Sequence, residues 1–519
     1  PVLRNRRLVP SVDRAGVPLW TALLLALASG PIMDAGFPDR GWWPMTYVGI
    51  GLVLVSLIGR RPRSALLVGF IAGLSFYLVH IEWASLFLGP LPMTALSVLE
   101  SLFVALGSLL IALAYRWCAR VWPSPAGRLG LLPLIVAGLW TAREAVTSTF
   151  PYGGFAWGRA ALSQSQSPVA DLFPWLGVSG VSFAMVALVA LAIEAVRVRS
   201  TGVLVRATAV VAAATVLLVV PAFPVELSGT ASIAAVQGNG KAAYFDQRET
   251  GDLLDAQFQA TEPLFDDDLD LDMVVWPEGA SDINPLESSY AASAFDYVSE
   301  TLDAPLIAGA ITERDGKFYN TALLWEAGEG AQDFYDKKHP IPFGEYVPDR
   351  EFWAPFAPDL IGLIGRDYSP GTTDTVFDVD GIIAGLNICF DISDDAVMTA
   401  AVREGAQVLL APTNNADFGQ TDESVQQLEI ARIRALELGR SVVNISTVGT
   451  SAIIAPDGST IDQLETFTAD TMVADVPLST TVTPASEAGR AIEWFVSGLG
   501  LALLALAMFS ERKTPRHMR

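Results

Sequence analysis

Cysteine, histidine and charge are all scarce in this 519-residue chain: two Cys, three His, and 17% Asp, Glu, Lys and Arg together. Two cysteines exclude a disulfide framework and any Cys-rich zinc or iron–sulfur site. His80, His339 and His517 are too few and too scattered for a histidine-based metal centre. G-x-x-x-x-G-K-[ST], G-x-S-x-G and G-x-G-x-x-G are absent, so neither nucleotide binding nor a serine-hydrolase elbow has support. There is no solenoid-period repeat and no low-complexity tract, and the acidic run 265–272 reads as a solvated loop. So little charge beside 51% hydrophobic residues points to membrane spans.

The net charge of −23 is unevenly placed. Residues 228–489 hold about 45 acidic and 12 basic residues, near −33, which leaves the remainder near +10. A basic apolar part and an acidic polar part belong in different environments. Nucleic acid is excluded as a partner of the acidic part, since phosphate binding needs Lys and Arg; a solvated surface accounts for its acidity.

Apolar stretches long enough to cross about 30 Å of hydrocarbon recur near 17–33, 43–59, 64–86, 93–115, 129–148, 177–196 and 203–223, with an eighth near 491–509. The Gly30-Pro31 and Gly89-Pro90 interruptions are expected in loops. Every second loop is basic: Arg4, Arg6, Arg7 and Arg14 precede the first span, Arg60, Arg61 and Arg63 the third. Arg116, Arg120 and Arg128 precede the fifth, Arg197 and Arg199 the seventh, and Arg512, Lys513, Arg516 and Arg519 follow the eighth. The positive-inside rule then puts both termini in the cytoplasm and residues 224–490 outside it. The first run is followed at once by further spans, so it reads as a retained anchor. The expected division is 1–225 for seven spans, 226–489 for an extracytoplasmic domain, and 490–519 for an eighth span and tail.

The middle segment changes character. Apolar runs at 232–237, 272–278, 305–312, 381–389 and 406–412 read as buried strands, and 247–263, 288–302 and 421–439 as helices. The last helix has Thr421 and Asp422 as expected N-caps and ends at Leu438-Gly439. Strands alternating with helices imply a layered α/β domain. Its one cysteine, Cys389, is either an inert core residue or a reactive thiol, whereas Cys118 belongs to a span and reads as inert. Cys389, Glu278 and Lys337 each follow an apolar run, where side chains reach the rim of a sheet. Singly, the two charges are ordinary surface groups. Together, a carboxylate to take the thiol proton, an ammonium to hold an oxyanion and a thiol make an acyl-transfer site.

The flanking residues add to this. Trp276-Pro277-Glu278, Tyr335-Asp336-Lys337-Lys338-His339, Pro342-Phe343-Gly344-Glu345 and Asn387-Ile388-Cys389-Phe390-Asp391 resemble the nitrilase superfamily. That resemblance implies an αββα sandwich with Glu278 as general base, Lys337 as oxyanion stabiliser, Cys389 as nucleophile and Glu345 as a supporting carboxylate, His339 being structural. A nitrilase-like domain between seven spans and an eighth is similar to the apolipoprotein N-acyltransferase family. Trp140-x-x-Arg143-Glu144, Phe155-x-Trp157-Gly158, Val236-Gln237-Gly238-Asn239, Ala435-Leu436-Glu437-Leu438-Gly439-Arg440 and Thr447-x-Gly449-x-Ser451 also fit. The chain departs where the family has C-Y-E (Cys389-Phe390-Asp391), N-D-A-W-F-G (Asn414-Asn415-Ala416-Asp417-Phe418-Gly419), and a Trp after V-Q-G-N, for which Tyr244 and Phe245 stand here.

The resemblance implies a bacterial cytoplasmic-membrane enzyme. It would move an acyl chain from a phospholipid, typically phosphatidylethanolamine, through a Cys389 thioester to the α-amine of diacylglyceryl-cysteine apolipoproteins, in ping-pong order. It implies no metal or cofactor, and the spans favour a monomer. Substrate-contact expectations are Phe390 and Asp391 beside the nucleophile, Arg143 and Trp157 at the outer end of the fifth span, and Trp353 and Ile361 in the apolar segment 351–364. That segment is expected either to dip into the bilayer as a lid or to be an ordinary buried loop. Arg143 and Glu144 either pair structurally, with each other or with another span, or meet a lipid headgroup or the domain above. Two rivals stand beside this reading: a tethered amidase or nitrile hydrolase with water as acceptor, and a non-catalytic binding module.

Overall fold

The computed structural model describes residues 15–513. Arg4, Arg6, Arg7, Arg14, Arg516 and Arg519 of the orientation argument, and His517, lie outside the described residues. The chain opens with apolar helices α1 (Leu19–Asp34), α2 (Pro44–Leu57), α3 (Pro62–His80), α4 (Pro90–Val121), α5 (Leu132–Thr147), α6 (Phe173–Arg197) and α7 (Val203–Leu218). Proline begins α2, α3 and α4, where its missing N–H has no intrahelical partner to lose.

Strands β1 (Leu227–Gln237), β2 (Met273–Val275), β3 (Leu306–Arg314), β4 (Lys317–Glu326) and β5 (Gly330–Asp336) follow, with α8 (Asp252–Thr261) and α9 (Ser289–Leu302) between them. Next come β6 (Val376–Val379), β7 (Ile382–Leu386), α10 (Asp395–Arg403), β8 (Val408–Thr413), α11 (Glu423–Leu438), β9 (Ser441–Ser446), β10 (Ala452–Ile454), β11 (Thr460–Gln463) and β12 (Asp470–Ser479). Helix α12 (Ala491–Lys513) returns to the apolar bundle.

Two six-stranded sheets, β12-β1-β2-β3-β4-β5 and β11-β10-β9-β8-β7-β6, face each other. Ile233, Met273, Val275, Ile307, Leu386, Leu410 and Ile445 fill the space between them. On the outer face of the first sheet, α8 and α9 cover Val274, Trp276 and Leu306. On the second, α10 and α11 share one core with the apolar bundle. Helix α11 is therefore buried on both sides, which explains why its apolar residues do not keep to one stripe. This is the expected αββα sandwich. Pairing is parallel across β1-β2-β3 and β7-β8-β9, so the carboxyl ends of each set share one edge. Strand β5 runs with β3, being antiparallel to β4 as β3 is, and ends on that edge too.

Among the described residues, five stretches are long and apolar enough to cross a membrane: Pro62–His80, Pro90–Val121, Gly127–Thr147, Ala170–Arg197 and Ala491–Ser510. Leu19–Asp34, Pro44–Leu57 and Val203–Leu218 are shorter apolar helices. Gly30-Pro31, expected in a loop, lies inside the end of α1. Gly30 is there because α1 packs directly on Ser75 of α3, leaving no room for a Cβ. Gly69 and Gly73 pack the same way on Ser108 and Ser101 of α4, and Gly138 of α5 on Gly500 of α12. Small residues thus let the helix backbones approach closely, the way helices associate where no hydrophobic effect separates them from lipid.

The sandwich is locked to the bundle by charge. Arg159, in the loop after α5, makes a two-pronged contact with Asp395 at 2.7 and 2.9 Å, and Arg434 of α11 meets the same carboxylate at 2.7 Å. Burial pushes Asp395 up, but the two guanidiniums outweigh it and hold the carboxyl well below the usual range. Helix α6 unwinds at Gly177 (φ +65°), and the freed N–H of Val178 donates to Glu437 of α11 at 3.1 Å. At the start of α11, Asp422 is already helical and caps nothing, and the Thr421 hydroxyl turns back to the Phe418 carbonyl instead.

A Cβ on Gly138 would collide with the Val496 carbonyl, whereas one on Gly498 of the same helix pair meets nothing. Gly138→Val should cost about 1–3 kcal/mol by overpacking, lowering the unfolding temperature in detergent. Gly498→Ala should leave it unchanged or slightly raised.

Candidate active site

Glu278, Lys337 and Cys389 meet where the carboxyl ends of the two sheets converge. Glu278 follows β2, whose next residue, Trp276, is fully buried edge-on to Phe295 at 5.5 Å. Its turn lies over Gly309 of β3, where any Cβ would strike Pro277 and Glu278. Lys337 leaves β5 with its N–H donating to the Asn320 carbonyl at 2.9 Å. The Lys337 Nζ lies 3.1 Å from Glu278 Oε1 and 2.9 Å from Glu345 Oε2. Asn320 of β4 donates to both carboxylates, at 2.7 and 2.8 Å, and the Ile341 N–H holds the far oxygen of Glu345 at 2.7 Å. Lys337 is 1% exposed. Burial alone would lower its pKa, but Glu278 and Glu345 outweigh that and raise it well above the ordinary value. Burial pushes Glu278 up, with Lys337 and Asn320 opposing. The cluster is an ammonium clamped between two carboxyls, with one negative charge in surplus when both are ionised.

Cys389 comes from the opposite sheet. After β7, Asn387 is tied through its N–H and side chain to the Leu410 carbonyl, both at 3.1 Å. Cys389 then takes φ +52°, a left-handed backbone that costs a non-glycine residue about 1–2 kcal/mol, and opens a tight helical turn to Ser393. Asp391 holds that turn. Its carboxylate accepts from the Tyr335 hydroxyl (2.7 Å) and from the backbone N–H of Lys338 (3.1 Å), His339 (2.9 Å) and Ile388 (3.4 Å). Tyr335, Lys338 and His339 belong to the lysine side, so Asp391 clamps the thiol turn to the ammonium across the sandwich. It is fully buried, and its place is behind the nucleophile. Burial pushes the Cys389 thiol far up, Glu278 adds to this and Lys337 opposes it. The resting group is therefore a neutral thiol.

The remaining expected residues divide. Phe390 stacks on Trp157 (6.0 Å, 6°) and Phe155 (6.3 Å, 13°), joining the nucleophile turn to the loop after α5. Trp157 is buried and donates to Gln426 of α11 at 2.8 Å, as Trp83 does at 3.2 Å. Arg143 is held within the bundle, 3.6 Å from Glu144 and 5.3 Å over the Trp140 ring, the structural pairing that was one of its two expected roles. Trp353 packs edge-on against Phe343 at 5.6 Å, and its indole N–H reaches the Tyr152 hydroxyl at 3.4 Å. Ile361 turns inward with Val347 and Ile364, whereas Phe352, Phe356 and Leu363 of the same segment are exposed. Tyr244, after V-Q-G-N, accepts from Gly365 N–H at 3.2 Å and donates to the Leu363 carbonyl at 3.0 Å, so it props that segment.

Asn320, Glu423 and Gln426 escaped the sequence reading. Asn320 is a lone amide in the apolar strand FYNTALLW, which was its one available signal. Glu423 is held by Asn415 of the loop just before it, and Gln426 by Trp83 and Trp157, both remote in sequence. The T-x-G-x-S motif finds its reason here: Thr447 donates to Asn414 at 2.8 Å, Gly449 leaves room for the Asn415 amide, and Ser451 donates to Gln237 at 2.7 Å.

Two family models cover this architecture. The carbon-nitrogen hydrolase model matches residues 232–483, and the apolipoprotein N-acyltransferase N-terminal domain model matches residues 29–191. The apolipoprotein N-acyltransferase of Mycolicibacterium smegmatis is 31% identical over 96% of this chain and 87% of its own length. The chain belongs to the apolipoprotein N-acyltransferase family. The family member from Azotobacter vinelandii is 29% identical over 95% of this chain and 96% of its own. Among solved structures, Saccharomyces cerevisiae Nit3, of branch 10 of the nitrilase superfamily, aligns with 51% of this chain and 94% of its own at 19% identity and a TM-score of 0.38.

A thiol raised above its ordinary pKa carries less thiolate at neutral pH and gains it only as pH climbs. Alkylation of Cys389 by iodoacetamide at pH 7 should therefore be slower than that of a free cysteine, rising toward alkaline pH. Lys337→Met removes the one charge that lowers the thiol pKa, so it should slow labelling further; faster labelling would contradict this electrostatic picture.

Proposed function

We propose that this acyltransferase moves a fatty acyl chain from a membrane phospholipid, phosphatidylethanolamine in the first instance, to the N-terminal α-amine of diacylglyceryl-cysteine apolipoproteins through a thioester on Cys389. The observation that carries this reading is the meeting of Glu278, Lys337 and Cys389 in a sandwich locked onto an apolar helix bundle.

Chemistry follows from the geometry. Glu278 takes the Cys389 proton as Sγ attacks the lipid ester, and it returns that proton to the departing lysophospholipid oxygen. The Lys337 ammonium, fixed by Glu278 and Glu345, faces the oxyanion of the tetrahedral intermediate. Glu345 and Asn320 hold the ammonium in place and bring no reacting atom. The amine then enters, loses a proton and attacks the thioester, so the two substrates use one site in turn.

Residues 1–225 and 490–519 are read as eight spans and residues 226–489 as the extracytoplasmic domain. Arg60 donates to the Val17 and Pro18 carbonyls at the start of α1, and Arg128 and Arg197 both pair with Glu194. These are the helix ends remote from the sandwich, since the other end of α3, at His80, reaches the Trp157 carbonyl (3.4 Å). Basic ends away from the sandwich support the reading of that side as cytoplasmic. Segment 351–364 is read as a lid at the outer leaflet, with Phe352 and Phe356 entering lipid and Ile361 holding the loop together.

Intact-mass spectrometry of protein incubated with phosphatidylethanolamine should show an acyl adduct that Cys389→Ala abolishes and a diacylglyceryl-cysteine peptide discharges. Lys337→Met should slow adduct formation by about 10²-fold or more. Discharge by water alone would mark a hydrolase. Phe352→Ser with Phe356→Ser should slow acylation from vesicles but spare a short-chain soluble ester, and equal loss on both would remove the lid.

A further inference from the structure

Glu423 opens α11 beside Glu278 and Cys389 and is 3% exposed. One carboxylate oxygen accepts from Asn415 Nδ2 at 2.8 Å, and Asn415 is itself held by Gln427 (2.6 Å) and Ser446 (2.7 Å). The other oxygen meets no donor among the described residues, and no described cation pairs with the group. The titratable groups facing it are Glu278 from the first sheet, Cys389 from the second, and Asp417 from the loop between β8 and α11. Burial, then Glu278 and Asp417, raise Glu423 to about 8; burial raises Asp417 to about 6. Glu423 in turn pushes the Cys389 thiol up. Lys337, the cation of the site, is already committed to Glu278 and Glu345.

We propose that Glu423 receives a primary ammonium beside the Cys389 thioester, that of the incoming acceptor, and takes its surplus proton. The proposal rests on Cys389 carrying the acyl group. Turning an ammonium into an amide removes two protons from nitrogen, and the triad accounts for one. Glu423 as carboxylate takes the first, leaving a neutral amine whose lone pair forms the C–N bond to the thioester carbon. Glu278 takes the second and delivers it to Sγ as the C–S bond breaks, and Glu423 then releases its proton to solvent. An α-amine titrates near 7.7–8.0, close to Glu423, so this transfer is nearly balanced, the condition in which a base works best.

The test compares Glu423→Gln with wild type in each half-reaction. Acyl-enzyme formation is followed by intact mass with phosphatidylethanolamine or phosphatidylglycerol vesicles, and discharge with a diacylglyceryl-cysteine peptide or with hydroxylamine, which is uncharged at pH 7. The variant should form acyl-enzyme from both lipids, which also certifies a folded site. Peptide discharge at pH 7 should fall by about tenfold to a hundredfold, with the loss shrinking toward pH 9, where the peptide amine is already neutral. Hydroxylamine discharge should keep its rate. Equal loss with peptide and hydroxylamine, or no loss with either, overturns the proposal. Slower acylation from phosphatidylethanolamine alone would assign the ammonium to the donor headgroup and overturn it as well. If wild type forms no acyl-enzyme, the failure lies in the reading of Cys389 and not of Glu423.

Discussion

A fully buried lysine ammonium sets the terms for everything around it. Taking that charge out of water is costly unless opposite charge and hydrogen bonds meet it closely. Glu278 and Glu345 meet it, and each needs its own anchor: Asn320 donates to both, and the Ile341 amide fixes the second. Those anchors lie on β4 and on the loop after β5, so the strand pairing of the first sheet is what makes the cluster possible. Removing Lys337 would strand two buried carboxylates and removing Asn320 would cost each of them a donor, which is why a polar amide sits in the middle of an otherwise apolar strand.

The thiol belongs to the other sheet, and the chemistry depends on how the two sheets are held in register. Asp391 does this with four donors, three of them from the lysine side. The clamp also fixes Phe390, whose ring stacks on Trp157 of the bundle loop. Positioning thus runs continuously from the ammonium, across the sandwich, to the apolar helices. A left-handed Cys389 is tolerated because the backbone on both sides of it is hydrogen-bonded into place.

Glu278, Lys337 and Cys389 were legible in the sequence because each ends an apolar run, and a strand end is a local feature. A layered α/β domain was legible for the same reason, with α8, α9 and α11 falling inside the stretches read as helix, whereas the αββα order came only with the family resemblance. What could not be read is what depends on contacts far along the chain. Gly30-Pro31 reads as a break until Ser75 is seen against it. Asp391 looks like a pocket residue until its donors, all but one of them more than fifty residues away, are known. Asn415 could be read only as one residue of a motif and Glu423 only as a helix residue, because their contact needs the loop folded back on α11, and Thr421-Asp422 has cap chemistry that the local backbone does not use. Segment 351–364 could be recognised as unusually apolar, but which of its side chains face inward needed the short helices that form there.

The close approach of Gly138 to Gly500 bears on the order in which the molecule is made. Helix α5 is synthesised early and α12 after the whole sandwich, so the groove at Gly138 stays open until the 343 residues between the two helices have emerged. The last helix then closes the bundle like a keystone. Assembly of the membrane part is therefore obliged to wait for the catalytic part, and a half-made chain has neither a finished bundle nor an active site to misuse the lipid around it.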